Sequence, residues 1–98
     1  MKALTFIFST LLSTAVLATS NEAVLYSLTK TEGKDIAKAL NTNPTNLSAF
    51  STNTMMFKAY PTYLKDGFPC RDVILVKNNK YGDMSACKIG GDWVFIYE

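Results

Sequence analysis

Two cysteines on either side of a hairpin-forming tetrapeptide constrain this chain more than any other feature. Cys70 opens one apolar run, Asp72-Val73-Ile74-Leu75-Val76, Cys87 closes the next, and Trp93 to Tyr97 supplies a third. Between the first two lies Lys77-Asn78-Asn79-Lys80, and Asn tolerates positive φ better than any residue except Gly, as a two-residue hairpin turn requires. Pairing Lys77 with Lys80 sets Cys70 directly opposite Cys87. Counted outward from the hydrogen-bonded flanking pair, the cysteines fall on a non-hydrogen-bonded pair, where Cα atoms approach to roughly 4.5 Å and a disulfide can span them. Turn and cysteines therefore specify one register; a longer loop through Tyr81-Gly82 would break the coincidence.

The first eighteen residues explain why those thiols should be oxidised. Lys2 gives a positive start, Ala3 to Leu17 an apolar run, and Val16-Leu17-Ala18 a small-residue cleavage signature, which together read as a secretory signal peptide over 1–18, cut after Ala18. The run is shorter than the roughly 20 apolar residues of a spanning helix. The exported chain is thus expected to be periplasmic or extracellular, with no membrane span after cleavage. Residues 19–98 make one domain, small enough to need a covalent staple, and two cysteines in an exported chain fit that need.

Along this domain, Asn21 to Leu28 suits a short helix or a strand, with helix preferred. Gly33 interrupts it, and Thr31 or Asp35 caps a second segment, Lys34 to Leu40, whose Ile36, Ala39 and Leu40 share a face. Asn43-Pro44 stops that helix. Thr45 to Thr54 reads as a loop pinned by Leu47 and Phe50. Met55 to Leu64 reads as an edge strand because it contains Pro61. Lys65-Asp66-Gly67 then turns the chain into the Cys70 strand, and Gly90-Gly91 makes the last tight turn. The fold class is α+β: an N-terminal helix packed on a four-strand antiparallel meander, cystatin-like in outline, with one cross-strand disulfide.

The chemistry of common active sites is missing. The chain has no His, the usual general base and metal ligand. Its two cysteines do not have zinc or redox spacing, so no enzyme, metal or cofactor is expected. Ten basic residues are scattered without a stripe and the formal net charge is +2, which gives nucleic acid no footprint. Asp72 and Asp83 are diagonal neighbours on one strand face, read as a solvated pair rather than an acid–base couple. Arg71 is expected to lay its stem on apolar surface or to pair with an acid at the sheet rim, and Trp93 to be core.

Cys70-Arg71-Asp72, then Ala86-Cys87-Lys88, then Gly91-Asp92-Trp93 with an apolar end resembles the C-terminal domain of the seventeen-kilodalton outer-membrane surface antigen family. That domain shows Cys-Arg-acidic, a Gly-containing hairpin, Ala-Cys-basic and a Gly-x-Trp close, with its helix and first strand where Asp35 to Leu40 and Phe57 to Gly67 fall. The resemblance runs over roughly residues 34–98 and covers the globular module alone, because the chain has neither lipobox cysteine nor glycine zipper. It implies an envelope or surface role without catalytic residues.

Alternation puts Phe57, Tyr63, Val73, Leu75, Met84, Ala86, Trp93, Phe95 and Tyr97 on the face toward the helix. The opposite face carries Met56, Tyr60, Ile74, Val76, Val94 and Ile96, more apolar than a solvated sheet side should be. Either the segment from Asn21 to Leu28 or the Leu47 to Phe50 loop folds over it, or it meets a partner or a second copy. The expected function is an exported, non-enzymatic envelope or surface module that binds a protein or cell-wall component. The second class is a small secreted or periplasmic inhibitor or immunity-type protein that blocks an enzyme.

Overall fold

A computed structural model of the chain describes residues 2–5 and 20–97. The expected cleavage point after Ala18, and all of the leader except 2–5, lie outside the described residues. The elements run β1 (Lys2–Thr5), α1 (Ser20–Tyr26), α2 (Lys30–Leu40), β2 (Ser48–Ser51), β3 (Met55–Ala59), β4 (Tyr63–Lys65), β5 (Phe68–Lys77), β6 (Lys80–Ile89) and β7 (Asp92–Tyr97). The strands form one antiparallel sheet in the order β1-β7-β6-β5-β3-β2, with β4 alongside β5. Among the described residues no helix is long and apolar enough to cross a membrane.

The central hairpin has the register that turn and cysteines require. Lys77 pairs with Lys80 and Cys70 with Cys87, and Asn78 and Asn79 have φ of 51° and 63°, the two positive values of a type I′ turn. The disulfide Cys70–Cys87 is formed, with Cα atoms 4.0 Å apart. Asp66-Gly67 and Gly90-Gly91 close two further hairpins, again with positive φ at both central residues.

The α+β class holds, but the single helix on a four-strand meander is corrected: two helices cover the sheet, and six strands lie between Ser48 and Tyr97. Ser48–Ser51 escaped notice because Phe50 is its one large apolar residue; it pairs with Phe57, ring centroids 5.4 Å apart. The Met55 to Leu64 strand is broken by a bulge. The β3 ladder runs Ala59 opposite Val73, and the N–H of Tyr60 still reaches the carbonyl of Asp72, yet β4 resumes with Tyr63 opposite Cys70. Pro61 and Thr62 therefore stand against the single residue Arg71. One extra residue flips every later side chain, so Tyr63 leaves the helix side, where alternation had put it.

Helix α2 begins at Lys30, four residues before the expected start. Thr29 is its N-cap: its hydroxyl accepts from the N–H of Glu32, whose carboxylate accepts from the N–H of Thr29. This reciprocal box fixes two orphan donors and carries the helix through Gly33, which is buried. Both helices lie on one side of the sheet. Val24 and Leu25 of α1 and Ile36 and Leu40 of α2 join Met55, Phe57, Ala59, Val73, Leu75, Met84, Ala86, Trp93, Phe95 and Tyr97 in one core. Helix α1 crosses β6 at Gly82, where a Cβ would stand 2.7 Å from Val24 Cγ1 and 2.5 Å from Met84 Cε; glycine is what lets the helix approach.

Arg71 departs from both roles expected of it. It is fully buried, and its seven acceptors are neutral oxygens: the carbonyls of Tyr60, Ala39, Leu40, Thr42, Asn46 and Ala59 and the hydroxyl of Ser48. The guanidinium caps the C-terminal carbonyls of α2, where the helix dipole is negative, and gathers the following loop onto β3. Burial lowers its pKa, yet a guanidinium stays charged inside proteins. At the far end of β5, Lys77 donates to Glu32 and to the carbonyl of Ser27. Burial alone would raise the Glu32 carboxyl, but Lys77, the Thr54 hydroxyl and the Thr29 N–H outweigh it and bring the pKa to about 2.

Candidate functional site

The candidate site is the sheet face without helices. Its make-up follows from register. One row across β3, β5 and β6 is Met56, Val76 and Tyr81; the next is Lys58, Ile74 and Asp83. Asp72 and Ser85 then line up with Ile96, and Tyr63, Cys70 and Cys87 with Val94. The six residues expected on this face, Met56, Tyr60, Ile74, Val76, Val94 and Ile96, are there. Neither segment that was to cover it does so, because α1 and Phe50 both pack on the opposite side.

Exposure is uneven over the face. Met56 is 52% and Tyr81 50% exposed, and between them Val76 is half-buried. Tyr60 is 40% exposed. Ile74, Val94 and Ile96 are half-buried. Polar groups divide the face into an apolar end at Met56, Val76 and Tyr81 and an apolar rim on β7.

The divider is built by the bulge. With Tyr63 turned to this side, its hydroxyl lies 2.8 Å from Asp72 Oδ1 and 3.3 Å from Ser85 Oγ, and Ser85 Oγ donates to the same Asp72 oxygen at 3.1 Å. The Ser85 contact favours ionisation of the phenol, but burial and the Asp72 carboxylate together raise its pKa, so at neutral pH the phenol keeps its proton for Asp72. Asp83 is exposed, and its N–H, past the end of the β7 ladder, donates to Asn21 Oδ1. Asn21, Lys65, Asp72, Asp83, Ser85 and Ile96 line an open depression of about 400 Å³. Such an arrangement can hold polar groups of a partner at its centre and apolar groups at its edges. Both sulphurs of the disulfide sit on this side and are buried.

Reading the sequence missed one group of this face, Tyr63, and two of the framework behind it, Glu32 and Arg71. Tyr63 was put on the wrong face, for want of any sign that Pro61 marked a two-against-one bulge. Glu32 had a signal in Thr29-Lys30-Thr31-Glu32, the capping-box spacing. Arg71 had none, because its acceptors are six backbone carbonyls from the end of α2, the following loop and the end of β3, with the Ser48 hydroxyl. Compared with known proteins, the chain matches no family model, no curated protein and no solved structure.

Proposed function

We propose that the chain is an exported, non-enzymatic envelope or surface module that binds another protein or a cell-wall component through its helix-free sheet face. One observation carries this reading: both helices are spent on one side of the sheet, and Met56, Val76 and Tyr81 stay together and uncovered on the other. Apolar residues grouped at the surface are typical of interaction sites. The resemblance to the surface antigen domain supports the same compartment, and the disulfide is compatible with export.

The test is capture from envelope extract and from culture medium with the wild-type chain and with Val76→Lys and Met56→Lys, each tested alone. Both variants should stay folded, because Val76 and Met56 lie outside the core, and both should lose the ligand that the wild type retains. Undiminished capture by both variants would remove the face from consideration.

The inhibitor reading is favoured by a different feature, the β4–β5 hairpin. Its tip presents Leu64, 74% exposed, and Phe68, 42% exposed, around Asp66-Gly67, a shape suited to an enzyme cleft. Leu64→Ser would then release an enzyme that the wild type blocks, while the Val76→Lys variant would still inhibit it.

A further inference from the structure

Resting on residues 1–18 being a cleaved leader, we propose that cleavage uncovers the outer edge of β7 and that a second copy of the mature chain fills it, strand β7 against strand β7. In the structure that edge is occupied by β1, with Lys2 opposite Tyr97 and Thr5 opposite Val94. All of β1 lies within the leader. Cutting after Ala18 takes away the strand with which the edge is paired.

The edge left behind is suited to its own copy. Ile89 and Asp92 flank the two-residue Gly90-Gly91 turn and so form a hydrogen-bonded pair, which directs the N–H and C=O groups of Asp92, Val94 and Ile96 toward β6. Those of Trp93, Phe95 and Tyr97 point outward, onto the edge. From Trp93 to Tyr97 there is no proline, lysine or other charge, none of the devices by which natural edges avoid pairing.

A two-fold axis through Phe95 sets Phe95 against its own equivalent, Trp93 against Tyr97 of the second copy, and Val94 against Ile96 of the second copy. Directly opposed residues share a face. The row Trp93, Phe95 and Tyr97, buried under the helices, therefore meets the same row, and Val94 and Ile96 on the helix-free face do likewise. No register but an in-phase one keeps both layers continuous. The apolar rim on β7 becomes the middle of a helix-free face twice as wide, a closed isologous contact.

The experiment isolates the protein from an exporting host, fixes its N-terminus by intact mass, and measures its mass by light scattering over a concentration series, with amide exchange followed residue by residue. The expected result is a processed chain that dimerises, its Phe95 and Tyr97 amides exchanging about tenfold or more slowly in the concentrated sample than in the dilute one. Ile96→Lys, which sets two lysines diagonally across the axis, should keep the disulfide and run as a monomer. A wild type monomeric throughout, a dimer whose outward amides exchange freely, or a secreted chain retaining residues 2–5 would each overturn the proposal. Failure here leaves the binding role of Met56, Val76 and Tyr81 intact, since those residues lie on β3, β5 and β6 and are tested by their own variants.

Discussion

Replacing Arg71 by Met keeps most of the buried stem and removes every donor. Six carbonyls and one hydroxyl lose their partner. The contacts to Leu40 and Ala59 are buried on both sides, whereas the other five lie near enough to solvent for water to take over. A buried acceptor left unpaired costs about 1–3 kcal/mol, so two of them, with the loss of a cation at a helix C-terminus, should cost about 3–5 kcal/mol. Small domains have stabilities of about 5–15 kcal/mol, and such a loss removes a large part of that. Arg71→Lys keeps the charge with fewer donors and should cost about half as much. Urea unfolding of the disulfide-intact chain, followed by fluorescence, measures both. Trp93 is the single tryptophan, is buried, and donates its indole N–H to Asn41 at 3.1 Å just past α2, so it reports on the end that Arg71 holds. A cost for Arg71→Met below about 0.5 kcal/mol, the range of ordinary surface substitutions, would refute the reasoning.

Glu32 titrates lower in the folded chain, at about 2 against an ordinary 4.5, so its stabilising contribution is fully present above 4.5 and is lost as pH falls through 2; at about 1.4 kcal/mol per pKa unit this comes to about 3 kcal/mol. Glu32→Gln should flatten that acid limb in a plot of unfolding free energy against pH, and an unchanged limb would assign it to other carboxylates. Intact mass should rise by two hydrogens on reduction of the chain, and Cys87→Ser should lower stability by roughly 2–5 kcal/mol, read from the urea midpoint. Gly82→Ala drives a methyl into Val24 and Met84 and should cost about 1–3 kcal/mol; a stabilised variant would mean that α1 yields freely.

The parts of this fold that were legible in sequence are those governed by short-range rules. Asn78-Asn79 and the cysteine pair determine one register, and from it follow the two faces of β5, β6 and β7, including Ile74, Val76, Val94 and Ile96 on the uncovered side. What was not legible depends on contacts between distant segments. Nothing local to Ser48-Ala49-Phe50-Ser51 announces a strand; it forms because β3 offers a free edge. Nothing local to Arg71 indicates that the end of α2, the following loop and the end of β3 converge on it. The Pro61-Thr62 bulge lies between: the proline was visible, but its effect on parity appears only when both β3 and β4 are paired to β5. Through Tyr63 that one residue decides the polar centre of the candidate site.

Arg71 and Lys77 sit six residues apart on the same face of β5, one holding the last carbonyls of α2 and the other the carboxylate in its first turn. Six steps along a strand span about 20 Å, and the eleven residues of α2 span about 16 Å. The strand thus works as a gauge for the helix. A residue added to α2 would turn its far end by about 100° and advance it by about 1.5 Å, taking either the Ala39 and Leu40 carbonyls from Arg71 or the Glu32 carboxylate from Lys77. The same pair fixes direction, because a reversed helix would present its positive end to the guanidinium. The length of α2 is thus matched to that of β5, and the loop after it, whose Thr42 and Asn46 carbonyls also accept from Arg71, is tied to the same gauge.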